Sequence, residues 1–219
     1  MPLTILLTGF GPFPGAPSNP TGPLVQQLAR LRRPALADVR LVPHVFRTSY
    51  EAVDDDLPRL VSRIRPDAVL MFGLATRASC LQVETRARNA LSALVLDAQG
   101  RQAAALSIAP GGPDALMFGV PAARLALAAR KARSEAVISR DAGRYLCNYL
   151  SWRAIETAAQ PGGPIFAAFI HVPKVGPGPH PPAPHGRRRW RMTDLLRGGE
   201  AILLAAAAET RKRSRMTKR

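Results

Sequence analysis

The stretch that most restricts how this chain can fold is IFAAFIHV, Ile165 to Val172, an apolar run interrupted only by His171 and closed by Pro173. A run of that kind suits a strand buried on both faces, as in a parallel sheet, because a half-exposed strand alternates apolar with polar residues. Proline then stops it by removing a ladder N–H. Strand-like and helical patterns alternate along the rest of the chain. Strands are expected near Thr4–Thr8, Val39–Val45, Ala68–Phe72, Ala136–Ser139 and Ile165–Ile170, with Leu81–Thr85 and Ala93–Leu96 as an extra β excursion. Helices are expected over Gly22–Leu31, Ser49–Arg63, Val120–Lys131, Gly143–Ala158 and Thr193–Glu209. The fold class implied is α/β, a three-layer α/β/α sandwich around a mostly parallel, open, twisted sheet. One such domain accounts for residues 1–209, leaving 210–219 as a basic, disordered tail. A domain of this size buries roughly 70–75% of its unfolded surface, so core size is no obstacle.

His171 falls at the carboxyl end of its strand, where open α/β sheets bind their ligands. Cys147, in DAGRYLCN (Asp141 to Asn148), follows the strand-like AVIS (Ala136 to Ser139) and so comes after another such end. Asp141 reads as the N-cap of a helix carrying Tyr145, Leu146, Tyr149 and Leu150, which places the thiol early in that helix. There the unpaired N–H groups and the positive dipole end favour thiolate over thiol. Histidine is the usual base for such a nucleophile, taking the thiol proton and returning it to a leaving amine. Each residue also has a plain reading: Cys147 as a small core residue between helix and sheet, and His171 as a satisfied core histidine.

A third candidate is Glu84 in LQVETRARN (Leu81 to Asn89). A carboxylate that holds an imidazole in one tautomer completes a Cys–His pair. The neighbouring Arg77, Arg86 and Arg88 offer the simpler alternative of a surface ion pair.

Charge argues for a different class of function. The chain carries 31 basic and 15 acidic side chains, net +16, with basic clusters at RRRWR (Arg187 to Arg191) and RKRSRMTKR (Arg211 to Arg219). Such segments can hold nucleic acid non-specifically by counterion release, with Trp190 stacking on a base, or can simply be solvated. Two cysteines and no apparent secretory leader suit the cytoplasm, and no run approaches the ~18 apolar residues of a membrane span. The Pro/Gly-rich Lys174–His185 is expected to be extended or mobile, acting as a lid or subunit contact, and its His180 and His185 lack companions for a metal site. Cys80 sits in a loop-like TRASC and is a weaker nucleophile candidate. The loop Gly9–Gly11 lacks GxGxxG spacing, and Pro12 and Pro14 remove donors, which excludes a phosphate cradle.

Taken in order, LLTGFGPFPGAPSNP (Leu6 to Pro20), RPDAVLMFG (Arg65 to Gly73), ETRARN, DAGRYLCN, FIHVP (Phe169 to Pro173) and MTDLLRGGEAI (Met192 to Ile202) resemble the pyroglutamyl peptidase I family. These cysteine peptidases are also called pyrrolidone-carboxylate peptidases. The resemblance spans about Leu3 to Ala208. It implies that Cys147 is the nucleophile, His171 its base and Glu84 the acid that orients the histidine. The implied substrates are peptides with an N-terminal pyroglutamyl residue, with no metal or organic cofactor and with assembly as a dimer or tetramer. Phe10 and Phe13 resemble residues of the family's ring pocket, with a plug at the sheet's end as the lesser alternative. Gly73, Leu74 and Leu146 belong with the same pocket, and Asn19 is read as the side chain that fixes its loop. Two departures stand out: Leu74 occupies the position of a glutamine common in the family, and Leu94 that of an arginine. The second removes a positive charge and donors from the neighbourhood of the site. A member that has lost turnover is the further alternative.

Overall fold

The structure is a computed structural model that describes residues 2–13, 15–176 and 190–217. Its centre is β1 (Leu3–Phe10), buried along nearly its whole length, as LTILLTGF dictates. β2 (Val39–Phe46) lies on one side of β1 and β3 (Ala68–Leu74) on the other, both parallel to it. β8 (Phe166–Val172), the strand expected from the apolar run, is buried at every residue and pairs in parallel with β3.

The sheet then reverses. β4 (Leu81–Glu84) pairs antiparallel with β8, and β7 (Ala136–Ser139) follows β4 in parallel, giving the order β2-β1-β3-β8-β4-β7. The sheet is mostly parallel, as expected. The reversal corrects one premise, because β7 runs opposite to β8 and its carboxyl end points to the other end of the sheet. A two-stranded ribbon, β5 (Arg86–Arg88) with β6 (Ala115–Met117), continues from β4. Of the expected β excursion, Leu81–Glu84 is β4, whereas residues 93–96 form no strand and carry a turn at 93–94.

Helices cover both faces. α1 (Thr21–Ala29), α3 (Ala122–Lys131) and α5 (Met192–Thr217) pack together on one, and α2 (Tyr50–Ile64) and α4 (Leu146–Ala159) on the other. Ser49 caps α2 as its serine predicts, accepting from Ala52 N. Gly9 lets α1 sit hard against β1, since a Cβ there would meet Thr21 O at 2.5 Å.

The basic segments are more structured than their composition suggests. α5 continues eight residues beyond Glu209 to Thr217, so most of the expected tail is helix. Thr210 is buried, Arg211 pairs with Asp38, and Glu209 takes both Arg124 and Arg213. Trp190, expected to be free for stacking on a base, is only 2% exposed and donates to Ser79 O. The arginines at 187–189 and most of the Pro/Gly-rich loop, including His180 and His185, lie outside the described residues. Among the described residues no helix is long and apolar enough to cross a membrane.

Truncation after Glu209 is expected to lower the urea midpoint of unfolding. Loss of the buried Thr210 hydrogen bond alone contributes about 1 kcal/mol. A disordered tail would leave the midpoint unchanged.

Candidate active site

The site forms where β3 and β8 end and α4 begins. Gly73 of β3 is in register with His171 of β8, and His171 lies opposite Gln82 of β4. In the antiparallel ladder Glu84 is one pleat further on and shares the face of Gln82 and His171. Glu84 Oε1 accepts from His171 Nδ1 at 2.8 Å. Both side chains are buried, Glu84 completely. The arginines near Glu84 in sequence turn elsewhere: Arg86 donates to Arg140 O and Arg88 pairs with Asp141. Glu84 is therefore an interior partner of the imidazole, not a surface ion pair.

α4 delivers the sulfur. The helix starts later than expected, with Tyr145 as N-cap, because Asp141 is occupied in a turn where it accepts from Gly143 N. Gly143 sits at φ +81°, a conformation open to glycine at little cost. Cys147 is thus the second residue of the helix, and its Sγ overhangs Gly73. A Cβ on Gly73 would lie 2.7 Å from that sulfur and 2.5 Å from Phe169 Cζ. The missing side chain of Gly73 is the slot that admits the sulfur beside His171. The Tyr145 side chain makes no capping bond, its hydroxyl donating to Leu96 O instead, so the N–H groups of the first turn remain for an incoming oxyanion.

The charge state of His171 follows from these contacts. Burial disfavours the charged ring, yet the charge and hydrogen bond of Cys147, and then those of Glu84, outweigh it and raise the pKa from 6.5 to about 10. With Nδ1 held by Glu84, Nε2 is the nitrogen left for the sulfur. The arrangement can exchange a proton with a sulfur nucleophile and hold the imidazole in one orientation throughout.

The remaining candidates surround this centre unevenly. Phe10 is 2% exposed and packed on Phe46 at 5.9 Å between ring centroids, which fits the plug reading. Phe13 is half-buried with its ring 6.2 Å from that of Tyr145. Asn19 ties its loop together, donating to Gly11 O and accepting from Thr21 N and Oγ1. Leu74 is half-buried beyond Gly73, Leu146 is buried in the core beside Cys147, and Leu94 is 92% exposed. Cys80 is a free thiol like Cys147, and burial, its leading influence, pushes its pKa up. Three participants in the architecture escaped the sequence reading. Thr48 donates to Gly11 O, Tyr145 abuts Phe13, and Asn148 binds the end of β5. The signal for the last two was their position on either side of Leu146–Cys147.

Comparison with known proteins agrees with this architecture. A sequence model described as pyroglutamyl peptidase matches residues 3–178. The pyrrolidone-carboxylate peptidase of Pyrococcus furiosus is 30% identical over 189 residues, covering 83% of this chain and 89% of that protein. That of Cupriavidus necator is 30% identical over 209 residues, covering 95% and 94%. Among solved structures, the pyrrolidone carboxyl peptidase of Thermococcus litoralis superposes with a TM-score of 0.84 at 26% identity, covering 97% of this chain and 96% of that one.

Two outcomes follow from the geometry. In Cys147→Ala, burial is opposed by Glu84 alone, so the His171 pKa falls, as an NMR titration of its ring would register. Gly73→Ala pushes Sγ out of its slot and overpacks Phe169, costing about 1–3 kcal/mol in denaturant unfolding and slowing alkylation of Cys147.

Proposed function

The chain belongs to the pyroglutamyl peptidase family, and from that premise we propose that it is a cysteine exopeptidase that removes N-terminal pyroglutamyl residues from peptides. The observation that carries the assignment of roles is the convergence of Cys147, His171 and Glu84 from α4, β8 and β4, with the Glu84–His171 bond at 2.8 Å.

In this reading the Cys147 sulfur attacks the pyroglutamyl carbonyl carbon, forming a C–S bond as the carbonyl oxygen becomes an oxyanion. The first-turn N–H groups of α4 face that charge, where fixed donors are worth most. Collapse of the intermediate breaks the C–N bond, and His171 gives its proton to the departing amine. Water, deprotonated by His171, then cleaves the thioester and frees pyroglutamate. Glu84 keeps Nδ1 engaged, so that Nε2 faces the reaction throughout. The lactam ring lies against the loop carrying Phe13, braced by Asn19 and Thr48 on Gly11 O. A thiol nucleophile must stay reduced, and both cysteines are free, which supports the cytoplasmic assignment.

Purified protein under reducing conditions is expected to release dye from a pyroglutamyl fluorogenic amide. Cys147→Ser and His171→Ala each lose about 1,000-fold or more in kcat, and Glu84→Gln loses about 100-fold or more. An inactive wild type, or a His171→Ala variant with full activity, overturns the assignment. Activity is also expected to fall as pH rises through about 10, where His171 loses the proton it must donate. The sign is the same for stability: the raised histidine stabilises the fold fully below its ordinary value of 6.5, and that contribution is lost as pH climbs through the folded value.

A further inference from the structure

The residue after the nucleophile is fully buried and has its amide wholly committed to backbone. Asn148 Nδ2 donates to Arg88 O at 2.8 Å and to Ala90 O at 3.0 Å, while Oδ1 accepts from Arg88 N at 2.8 Å. Gripping the N–H and C=O of one residue, the side chain pairs with the end of β5 as a neighbouring strand would. The same stretch is anchored at its start, where Thr85 N and Oγ1 both donate to Ser139 O at 2.9 Å. Glu84 is the residue immediately before that anchor.

The contacts therefore close a circuit. Cys147 touches His171, His171 bonds Glu84, Glu84 leads through Thr85 to Arg88, and Arg88 is clamped by Asn148, the covalent neighbour of Cys147. Helix and sheet belong to different layers, and this amide is a direct polar tie between α4 and β5, the strand that continues the chain from Glu84. Taking the proposed nucleophile as its premise, we infer that Asn148 is a positioning residue that fixes the Cys147 sulfur relative to the His171–Glu84 pair. Its bonds go to Arg88 at the end of β5 and to Ala90 just beyond it, and not to the Gly11–Thr21 loop, so it governs the chemical step and leaves binding of the lactam alone.

Asn89 provides the matched control. Its side chain makes three bonds of similar length, donating to Ala109 O and accepting from Ala109 N and Ser107 Oγ, all within the 89–109 loop. Removing it costs comparable hydrogen bonding without releasing α4.

The test compares Asn148→Ala, Asn148→Ser and Asn89→Ala in a Cys80→Ser background, so that iodoacetamide labelling reports Cys147. Asn148→Ala is expected to lower kcat about 100-fold, the scale of a misplacement near 1 Å, with KM changed less than about threefold. It also lowers the His171 titration midpoint by NMR and slows alkylation near neutral pH. Asn148→Ser, keeping one donor and one acceptor at smaller structural cost, falls between it and the parent. Asn89→Ala loses thermal stability but retains the parent's kcat, titration and alkylation rate. Wild-type titration and alkylation in both Asn148 variants, or an equal disturbance in Asn89→Ala, refutes the inference. Titration and alkylation need no substrate, so a parent protein inert towards pyroglutamyl amides counts against the proposed activity and leaves this comparison readable.

Discussion

The buried hydrogen bond between Glu84 and His171 is the constraint around which the sheet is arranged. A carboxylate with no solvent exposure costs several kcal/mol unless it is paired, and its Oε2 has no partner among the described residues. The compensation must therefore come through Oε1 and a ring able to carry positive charge. The antiparallel pairing of β4 with β8 provides the approach, putting Gln82 beside His171 and Glu84 one pleat away on the same face. The sulfur of Cys147 adds the second partner of the ring. Burial, which opposes charge on an isolated histidine, strengthens the attraction once two such partners face it.

Packing enforces the same geometry from below. Gly73, in register with His171, leaves a slot bounded by Phe169 and filled by the Cys147 sulfur. A larger residue in that slot or a looser helix start would separate groups whose mutual stabilisation depends on contact. The late start of α4 contributes to this. Ending the Asp141–Gly143 turn before the helix begins puts Cys147 in the first turn, where N–H groups lack intrahelical acceptors.

Much of this was legible in residues. The apolar runs of β1, β3 and β8 locate buried strands because burial on both faces requires continuous hydrophobicity, and Ser49 marks the start of α2 through its capping side chain. Strand direction was not legible. LQVE and AVIS have the same composition whichever way they run, and only pairing with β8 decides it. The structure brings Cys147 to His171 although β7 does not end at the same rim; the chain from Ser139 to Tyr145 makes up the difference. The arginines around Glu84 misled because the chain leaves the main sheet after Glu84, and Arg86 and Arg88 belong to the separate β5–β6 ribbon, where Arg140 O and Asp141 take them. The basic end misled for a related reason. Arg211 and Arg213 read as a charge run, yet helical spacing and nearby Asp38 and Glu209 give them partners.

The departures from family pattern fall where the fold tolerates them. Leu74 is half-buried beyond Gly73, and Leu94 projects almost fully into solvent from a turn attached to the helix start through Ser92 N on Arg144 O and Tyr145 Oη on Leu96 O. Neither interrupts the contacts among Cys147, His171, Glu84 and Gly73, which are fixed by the sheet and by the first turn of α4. A leucine at 94 removes a charge from the rim without placing an unsatisfied group in the interior. The site itself has no such latitude, because Cys147, His171 and Glu84 come from three different elements and the imidazole depends on partners from the other two. With the roles proposed for Cys147 and His171, reaction chemistry and rim chemistry are carried by separate parts of the molecule, and a change in the second can alter how a peptide is received while the contact between sulfur and imidazole stays as it is.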